Sequence, residues 1–422
     1  MLLVYSEKIT ERLKYTLSIL FDDRKIAYAL TDDFEQYKEA PEPKILYGNS
    51  SDETSFNASM ILFDDKIKKY HIDKIEWEGV EILRFDGIQD VLGSIFYVIS
   101  LYDDYLQNRL DVHQRNEGKH SLLYKFGWLN TLVVERWSEA FIQYVERVSD
   151  CKLNPTPIPF EIIPTFDIDH AYAYKYKSRW RNFLSIAKDT VFQNGKRLKE
   201  RQAVLAEKTK DPYDTFDRIK EYASNWNIKL FWLLGDYGKY DTNLPYDNIY
   251  QQKLIQDAVS YADIGLHPSY ASNESIKKLQ VQKNRLQNIL SEQVNISRQH
   301  FLKVHLPTTY ERLEKLEFTD DYSLGYADVY GFRAGIARPF KWFNLKENKV
   351  SNLTIHSISY MDGTLNEYLG LSIEDAQKIV LDLKQEVQKY GGEFIPLWHN
   401  ETIGDYGKWK GWREVLDVSL HK

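Results

Sequence analysis

From residue 160 to near its end, the chain repeats one pattern: an apolar run that predicts a strand, a polar tip, and a segment with helical periodicity. The predicted strands after the first cover residues 229–234, 262–266, 294–296, 353–358 and 394–397. Polar residues at the ends of successive strands favour a (β/α) barrel, whose active site lies at the carboxyl ends of its strands. A doubly wound open sheet collects residues at the same place and is the alternative.

Two long segments in this half of the chain predict amphipathic helices. Residues 275–290 and 372–390 both carry apolar side chains at helical spacing. Ser372 is a suitable N-cap for the second helix, and Gly391 with Gly392 provides its end.

Three prolines at alternate positions, Pro155, Pro157 and Pro159, separate this half from the first 150 residues. Prolines at that spacing enforce an extended backbone and exclude a helix. Before them, strand-like runs alternate with helical segments: strands at 2–5, 44–47, 60–63 and 80–85, helices at 9–21, 87–101 and 128–148. The sequence therefore predicts an α/β protein of two domains, a smaller α/β domain of unknown role at 1–153 and the barrel at 154–422.

Composition narrows the class of function. A net charge of -7 over 422 residues argues against a general nucleic-acid binder. The 30 tyrosines raise the aromatic share to 14%, which fits either sugar-stacking surfaces or a tyrosine-rich core. The single cysteine, Cys151, excludes an internal disulfide and fits a reducing compartment.

The sequence gives no sign of export or membrane insertion. Its first residues lack the basic region of a signal peptide. The longest apolar run, 93–102, is about half the length of a membrane-spanning helix. We therefore expect a soluble, cytoplasmic protein whose oligomeric state is open.

The segment 165–170 holds two carboxylates, Asp167 and Asp169, followed at once by His170. If the run is a strand, this spacing puts both carboxylates on one face, because side chains alternate across a strand. Two carboxylates that close repel each other unless a cation or a shared proton relieves the repulsion. A metal site or an acid/base pair is therefore expected here.

Three histidines, His267, His300 and His399, follow at the ends of later predicted strands. A zinc-like ion takes about four to six ligands from imidazole nitrogen and carboxylate oxygen. The aspartates and the first two histidines could hold such an ion and leave one carboxylate as general base, with His399 as general acid. A buried or surface histidine is the simpler explanation for any one of them, but three at strand ends favour a function.

These residues resemble the motifs of the NodB-like polysaccharide deacetylases, carbohydrate esterases with a distorted (β/α) barrel and an Asp-His-His metal site. The resemblance covers residues 155–415. The first motif, T-F-D-D-G, is similar to Thr165-Phe166-Asp167-Ile168-Asp169, with one residue inserted. The resemblance implies that Asp167 is the base and Asp169 a metal ligand, although the two roles could be exchanged.

The second and third motifs imply the other ligands. H-[ST]-x-x-H resembles the stretch that starts with His267-Pro268-Ser269, and its second histidine falls on Ala271. R-x-P-Y is similar to Arg298-Gln299-His300-Phe301, with His where Pro is usual. By this resemblance His267 is a ligand, and we expect His300, inside a strand that points into the barrel mouth, to replace the missing histidine.

The closing motif, L-x-H, is similar to Leu397-Trp398-His399 and implies that His399 is the general acid. Arg333 and Asp362 lie between the motifs, where the family uses an Arg and an Asp to orient the base and the acid histidine. The alternatives are an Arg–carboxylate pair for Arg333 and a tight turn at Asp362.

The resemblance implies a metal-dependent hydrolase that removes N-acetyl groups from a saccharide, with a divalent metal, zinc by preference, as cofactor. An N-acetylated saccharide or a lipid-linked glycan precursor is the expected substrate, since a cytoplasmic enzyme meets precursors rather than a mature wall. The alternatives are a non-catalytic glycan-binding protein that keeps the barrel and a metal-dependent hydrolase of another amide or ester.

Two further stretches carry weaker signals. Residues 175–210 are rich in Lys and Arg, with tyrosines near the start, and predict a helical insertion that contacts an anionic glycan or a membrane surface, or else a solvated helical face. The glycine-rich turn at 235–238 lacks the Lys-Ser/Thr of a P-loop. It is interpreted as a cleft-lining turn in which Asp236 or Asp241 contacts substrate.

Overall fold

The computed structural model describes residues 1–41, 43–48, 55–107, 109–191 and 195–421, and the protein is a mixed α/β structure. The strands of the first 150 residues, as far as they are described, are β1 (Leu2–Tyr5), β2 (Tyr28–Thr31), β3 (Lys44–Tyr47), β4 (Ser55–Phe56), β5 (Ile72–Trp77), β6 (Val80–Phe85) and β7 (Ile88–Gln89). The helices are α1 (Glu11–Phe21), α2 (Phe34–Glu39), α3 (Val91–Ile99), α4 (Tyr102–Leu106), α5 (Leu122–Lys125) and α6 (Val133–Val148).

A parallel sheet of order β2-β1-β3-β4 begins the chain, and β5, β6 and β7 form a separate antiparallel sheet. The Thr10 side chain caps α1 by accepting the N–H of Leu13. The predicted strands at 2–5, 44–47 and 80–85 are confirmed, because apolar runs of that length are buried as strands here.

The predicted strand at 60–63 is wrong, since Met60–Leu62 forms a 3-10 helix. Ile61 and Leu62 are both fully buried while Met60 is largely exposed. A strand would send Ile61 and Leu62 to opposite faces, whereas one helical turn buries both against the same core.

The second part of the chain carries the larger sheet. Its strands are β8 (Phe160–Ile162), β9 (Thr165–Ile168), β10 (Ile228–Leu233), β11 (Ala262–His267), β12 (Ile296–Ser297), β13 (Asp320–Leu324), β14 (Phe340–Asn344), β15 (Lys349–Ser357), β16 (Tyr360–Met361), β17 (Gly392–Phe394) and β18 (Pro396–His399). Its helices are α7 (Arg179–Val191), α8 (Gly195–Leu205), α9 (Phe216–Ala223), α10 (Ile249–Ala258), α11 (Ile276–Leu290), α12 (Thr308–Lys315), α13 (Ile373–Tyr390) and α14 (Arg413–Leu420). None of the described helices is long and apolar enough to cross a membrane.

Within the described residues, nine strands form one curled sheet of order β14-β15-β13-β12-β11-β10-β9-β18-β16. All neighbours are parallel except β14, which runs antiparallel to β15 at the edge. Strand β10 is buried along nearly its whole length, as expected of a parallel strand covered on both faces. The carboxyl ends of β9 to β12 therefore meet at one edge, where the chemically suggestive residues lie.

The two ends of this sheet meet in a single stretch of chain. Strand β15 pairs with β13, whereas β16, only two residues later, pairs with β18 at the other end of the order. Between them, the N–H of Ile358 donates to the carbonyl of Leu324 and the N–H of Ser359 to that of Ile395, both at 2.9 Å. The sheet thus curls back on itself, which is consistent with the predicted barrel.

The C-terminal elements differ in part from the prediction. The strand predicted at 394–397 is two strands: β17 pairs with β8, and β18 pairs with β9 and β16. The predicted helix at 372–390 is confirmed. The Ser372 side chain accepts the N–H of Asp375 at its start, and Gly391, at φ +81°, ends it. The helix predicted at 275–290 is likewise confirmed, and Ser275 is its N-cap.

The first 150 residues pack closely against the barrel. One apolar cluster contains buried side chains from both parts of the chain. Buried charges join them as well: Arg338 donates to Glu135 at 3.0 Å, and Arg333 to Asp104 at 3.0 Å. Residues 151–159 have no regular secondary structure. The predicted domain boundary between 153 and 154 remains a prediction.

Candidate metal centre and active site

The three residues predicted as metal ligands lie together at the carboxyl edge of the barrel sheet. Asp169 follows β9, His267 ends β11, and His300 begins the 3-10 turn His300–Leu302 after β12. Because parallel strands deliver their ends to the same edge, residues more than 130 positions apart in sequence meet here. His300 was expected inside a strand, but β12 ends at Ser297 and His300 lies in the turn that follows, beside the left-handed Phe301 (φ 62°).

The geometry of the cluster is tight. Nε2 of His267 lies 3.2 Å from Oδ1 of Asp169, and Nε2 of His300 lies 3.3 Å from its Oδ2. One ligand atom from each residue lies within 4.8 Å of the others. Asp167 is on the same side, with Oδ2 at 3.6 Å from Nε2 of His267, as the i, i+2 spacing predicts.

The far side of each imidazole is held by an acceptor. Nδ1 of His267 bonds to the carbonyl of Arg298 at 2.6 Å, and Nδ1 of His300 to the carboxylate of Asp241 at 3.0 Å. A carbonyl only accepts, so Nδ1 of His267 carries the hydrogen and Nε2 presents a lone pair to the cluster. Metal-bound histidines are oriented in this way by an outer acceptor.

Two atoms of the cluster also lack hydrogen bonds. Among the described residues, neither the buried Oδ1 of Asp169 nor the buried Nε2 of His267 has a hydrogen-bond partner. Buried polar atoms are normally satisfied, and a cation between them would satisfy both. One carboxylate and two oriented imidazoles fit a Zn²⁺-type ion with an open position.

The charges of the cluster shift its titrations strongly. Burial raises the pKa of Asp169, but the adjacent His300 and His267 outweigh it and hold that pKa well below its usual value. Burial lowers the pKa of His300, and Asp169 and Asp241 overcome it to raise the pKa to about 9. The site thus strongly favours a positive charge beside Asp169.

Asp167, the predicted base, belongs to a different pair. Its Oδ1 accepts a hydrogen bond from Nη1 of Arg298 at 3.1 Å. The fully buried Arg298 also donates to Thr165 and to the carbonyl of Tyr322, so its position is fixed. One carboxylate therefore faces the histidines and the other is held by an arginine, which separates their environments.

His399 lies beside Asp167, because the two residues are register partners on the neighbouring strands β18 and β9. Its Nδ1 bonds to both carboxylate oxygens of Asp362, at 3.0 and 3.1 Å, and its backbone N–H donates to the same group. Burial lowers the pKa of His399, but the charge and hydrogen bond of Asp362, with Asp169 and Asp167 nearby, raise it well above its usual value. Nε2 of His399, 4.0 Å from Oδ2 of Asp169, is free of Asp362 and faces the cleft.

The structure corrects the prediction for Arg333. Its guanidinium donates to Asp104 through two nitrogens and to the carbonyl of Gly325, and it does not line the cleft. It makes the Arg–carboxylate pair that was the alternative. The arginine on Asp167 is Arg298, which the sequence showed only as the first residue of the R-x-P-Y-like motif.

Asp241 is the second residue whose role the sequence did not reveal. It was expected to contact substrate, but it accepts hydrogen bonds from the N–H groups of Tyr270 and Ala271 and from His300. The segment that contains Ala271 therefore anchors the carboxylate that orients His300. The only sequence signal was its place in a polar turn after β10.

The cleft over the cluster has a volume of about 220 Å³. Its other lining residues include Arg115, Tyr368, Glu401 and Trp409. Arg115 comes from the first 150 residues and is fixed by Asp111, the carbonyl of Phe301 and the Tyr368 hydroxyl.

Comparison with known proteins adds two kinds of likeness. A family of unknown function (DUF7033) matches residues 2–150. The comparison with curated proteins gives no match. Among solved structures, a candidate polysaccharide deacetylase from Mycobacterium smegmatis is similar at 14% identity and a TM-score of 0.39, over 63% of this chain and 89% of that one.

Two further solved structures are similar at lower values. An allantoinase is 9% identical with a TM-score of 0.37, over 61% of this chain and 84% of that one. A polysaccharide deacetylase from Bacillus cereus is 10% identical with a TM-score of 0.27, over 62% and 87%. Scores this low carry no weight for activity, so function is inferred from the geometry of the site.

Proposed function

We propose that the protein is a metal-dependent hydrolase that removes N-acetyl groups from a saccharide. The observation that carries the proposal is the convergence of Asp169, His267 and His300 within 4.8 Å, with Asp167 and His399 on the same cleft. Three protein ligands with one open position distinguish a catalytic zinc site from a structural one, which is closed by four. Imidazole and carboxylate donors favour zinc among the common divalent metals.

A bound divalent ion would polarise the amide carbonyl and lower the pKa of the attacking water. Asp167 takes the proton of that water on Oδ2, because Arg298 engages its other oxygen, Oδ1. The hydrogen bond from Arg298 holds this carboxylate in place. This division of roles makes Asp167 the base and Asp169 the ligand, rather than the reverse.

His399 donates a proton from Nε2 to the departing amine nitrogen. Asp362 keeps Nδ1 protonated and the ring fixed, and its charge favours the protonated imidazole that a general acid needs. Hydrolysis then yields acetate and the free amino sugar. An acetyl group is small enough for the cleft over the cluster, and the rest of the saccharide extends outside it.

The test is zinc content together with acetate release from a panel of N-acetylated saccharides, including a lipid-linked precursor. We expect about one zinc per chain. Asp167→Asn should lower acetate release about 100-fold or more with zinc retained, because the base is lost and the ligands are not. Asp65→Asn, at an exposed aspartate remote from the site, is the control.

The outcomes separate the alternatives. A folded protein that takes up no zinc from supplemented medium rejects every catalytic version and favours a non-catalytic glycan-binding barrel. Zinc without acetate release from any member of the panel rejects the deacetylase and points to hydrolysis of another amide or an ester.

A further inference from the structure

A second cavity lies beside the candidate active site. Its volume is about 570 Å³, within the range of about 300–1,000 Å³ typical of small-molecule sites. Four tyrosines, two cationic side chains and a histidine provide much of its lining: Tyr174, Tyr213, Tyr237, Tyr406, Lys177, Arg197 and His170. Nothing in the mechanism proposed above uses this cavity.

Residues next to each other in the sequence line the two cavities. Asp169 belongs to the group of candidate metal ligands, and the next residue, His170, lines the second cavity. Asp241 supports His300, and the next residue, Thr242, lines the second cavity too. His170 bonds to Thr242 Oγ1 at 2.7 Å and to Glu401, which lines the cleft, at 3.1 Å. The two cavities are therefore neighbours, with His170 between them.

The charge of the lining is positive. Lys177 and Arg197 both line the cavity, and no described carboxylate lines it with them. Two carboxylates lie behind the wall: Asp189 is 3.8 Å from Arg197, and Glu200 accepts from the Tyr406 hydroxyl. A cleft lined by one sign of charge concentrates ligands of the other sign.

The tyrosines complete the chemistry of a sugar site. Their rings offer flat faces for the apolar side of a pyranose, and the hydroxyl of Tyr213 offers a hydrogen bond. Burial raises the pKa of Tyr213, so its hydroxyl stays neutral and able to donate. Helix α7 supplies Ser185 to the wall and α8 supplies Arg197, and both helices lie in the basic stretch 175–210.

We propose that this cavity is a subsite for an anionic sugar unit, next to the unit whose acetyl group is removed. The acid is a carboxylate or a phosphate, held by Lys177 and Arg197 while the tyrosines contact the ring. This inference rests on the proposed function of the neighbouring site. It narrows the substrate from acetylated saccharides in general to acidic ones.

The test is direct binding of three small probes to the zinc-supplemented protein: methyl glucuronide, glucose 1-phosphate and neutral methyl glucoside. Titration by calorimetry or NMR gives each dissociation constant. We expect the two anionic probes to bind about tenfold or more tighter than the neutral one, as charge-assisted hydrogen bonds predict. A preference for the glucuronide identifies a uronic-acid unit, and a preference for the phosphate a sugar phosphate.

The double variant K177Q/R197Q should lose about tenfold in affinity for both anions and keep its affinity for the glucoside. K196Q, at an exposed lysine beside Arg197 on α8 that does not line the cavity, is the matched control. Unchanged thermal unfolding of both variants shows that the fold is intact.

Equal binding of all three probes by the wild type, or anion binding by K177Q/R197Q as tight as the wild type, overturns the subsite. Because binding is measured without turnover, its failure is distinct from that of the proposed function. Binding of the anions without acetate release supports the subsite and contradicts the deacetylase activity. Acetate release with equal binding of the three probes supports the deacetylase activity and contradicts the subsite.

Discussion

At the scale of single residues, each functional imidazole depends on one acceptor behind it. His267 has the carbonyl of Arg298, and His300 has Asp241. His399 has Asp362. Such acceptors fix the tautomer and the ring plane, so removing one changes the chemistry of the ring without removing the ring.

Asp362→Asn isolates this effect for His399. An amide can offer its N–H to Nδ1 and favour the wrong tautomer, so we expect acetate release to fall about 100-fold or more. Zinc content should not change, because Asp362 is not one of the candidate metal ligands. Asp382→Asn, on the exposed face of α13, is the control. Loss of zinc in Asp362→Asn would show that this carboxylate supports the metal rather than the acid.

His300→Ala tests whether this residue replaces the histidine missing at Ala271. Asp241→Asn removes only the outer acceptor and should weaken zinc binding about 10- to 100-fold. His300→Ala removes one of three ligands and should weaken zinc binding more than that. Competition with a chromogenic chelator measures both affinities. His71→Ala, at an exposed histidine, should match the wild type. Equal affinity of His300→Ala and the wild type would exclude His300 as a ligand.

The sequence revealed part of this site. Asp169, His267 and His399 were visible because each ends an apolar run, and strand ends meet at one edge. The roles of Arg298 and Asp241 depend on side-chain direction after the chain has folded, which spacing alone does not determine. Arg333 was misassigned because its partner, Asp104, lies 229 positions away.

At the scale of elements, His356 on β15 joins three strands. Its Nε2 contacts Asp320 on β13 at 3.0 Å and its Nδ1 contacts Glu393 on β17 at 2.6 Å. Its ring stacks on Tyr322. Burial lowers the pKa of His356, but hydrogen bonds to Asp320 and Glu393 raise it above the ordinary 6.5.

This histidine makes stability depend on pH. A folded-state pKa above the unfolded value of 6.5 means that its contribution is fully present below 6.5 and is lost as pH rises through the folded pKa. We expect the wild type to have a higher free energy of unfolding than His356→Gln. The difference should be largest near pH 6 and smallest near about pH 9. Urea unfolding at both pH values measures the difference. A difference that grows with pH would contradict the assignment of the charged form.

Strands were predictable where an apolar run is mostly buried, as in β1 and β10. The two-residue strand β16 is too short for a pattern to show, and the strand predicted at 294–296 shares only Ile296 with β12. Helix ends were predictable at Ser275 and Ser372, because N-capping is a local interaction.

At the scale of the whole molecule, buried charges connect the first 150 residues to the barrel. Arg333→Met leaves Asp104 buried without its cation, and we expect a loss of about 3–5 kcal/mol in the free energy of unfolding. Zinc affinity should stay that of the wild type, because Arg333 lies outside the cleft. Arg413→Met, at a half-exposed arginine on α14, is the control. Weakened zinc binding in Arg333→Met would restore the active-site role that the structure removes.

The two parts of the chain also share the cleft. Arg115, from the first 150 residues, lines the cleft with the candidate metal ligands and donates to the carbonyl of Phe301 in the barrel. A barrel lacking the first 150 residues would therefore lack one wall of its cleft, even if it folded. This shared wall was invisible in the sequence, because residues 111–119 have no motif and resemble a solvated loop.

The stretch between β15 and β16 has a consequence for the kinetics of opening. The amide of Ile358 donates to Leu324 on β13, and the amide of Ser359 donates to Ile395, which directly precedes β18; both donor residues are buried. Exposing either amide to solvent requires the curled sheet to come apart at the place where its two ends meet. These two amides should therefore exchange their hydrogens with solvent only through global unfolding, at the slowest rates in the protein.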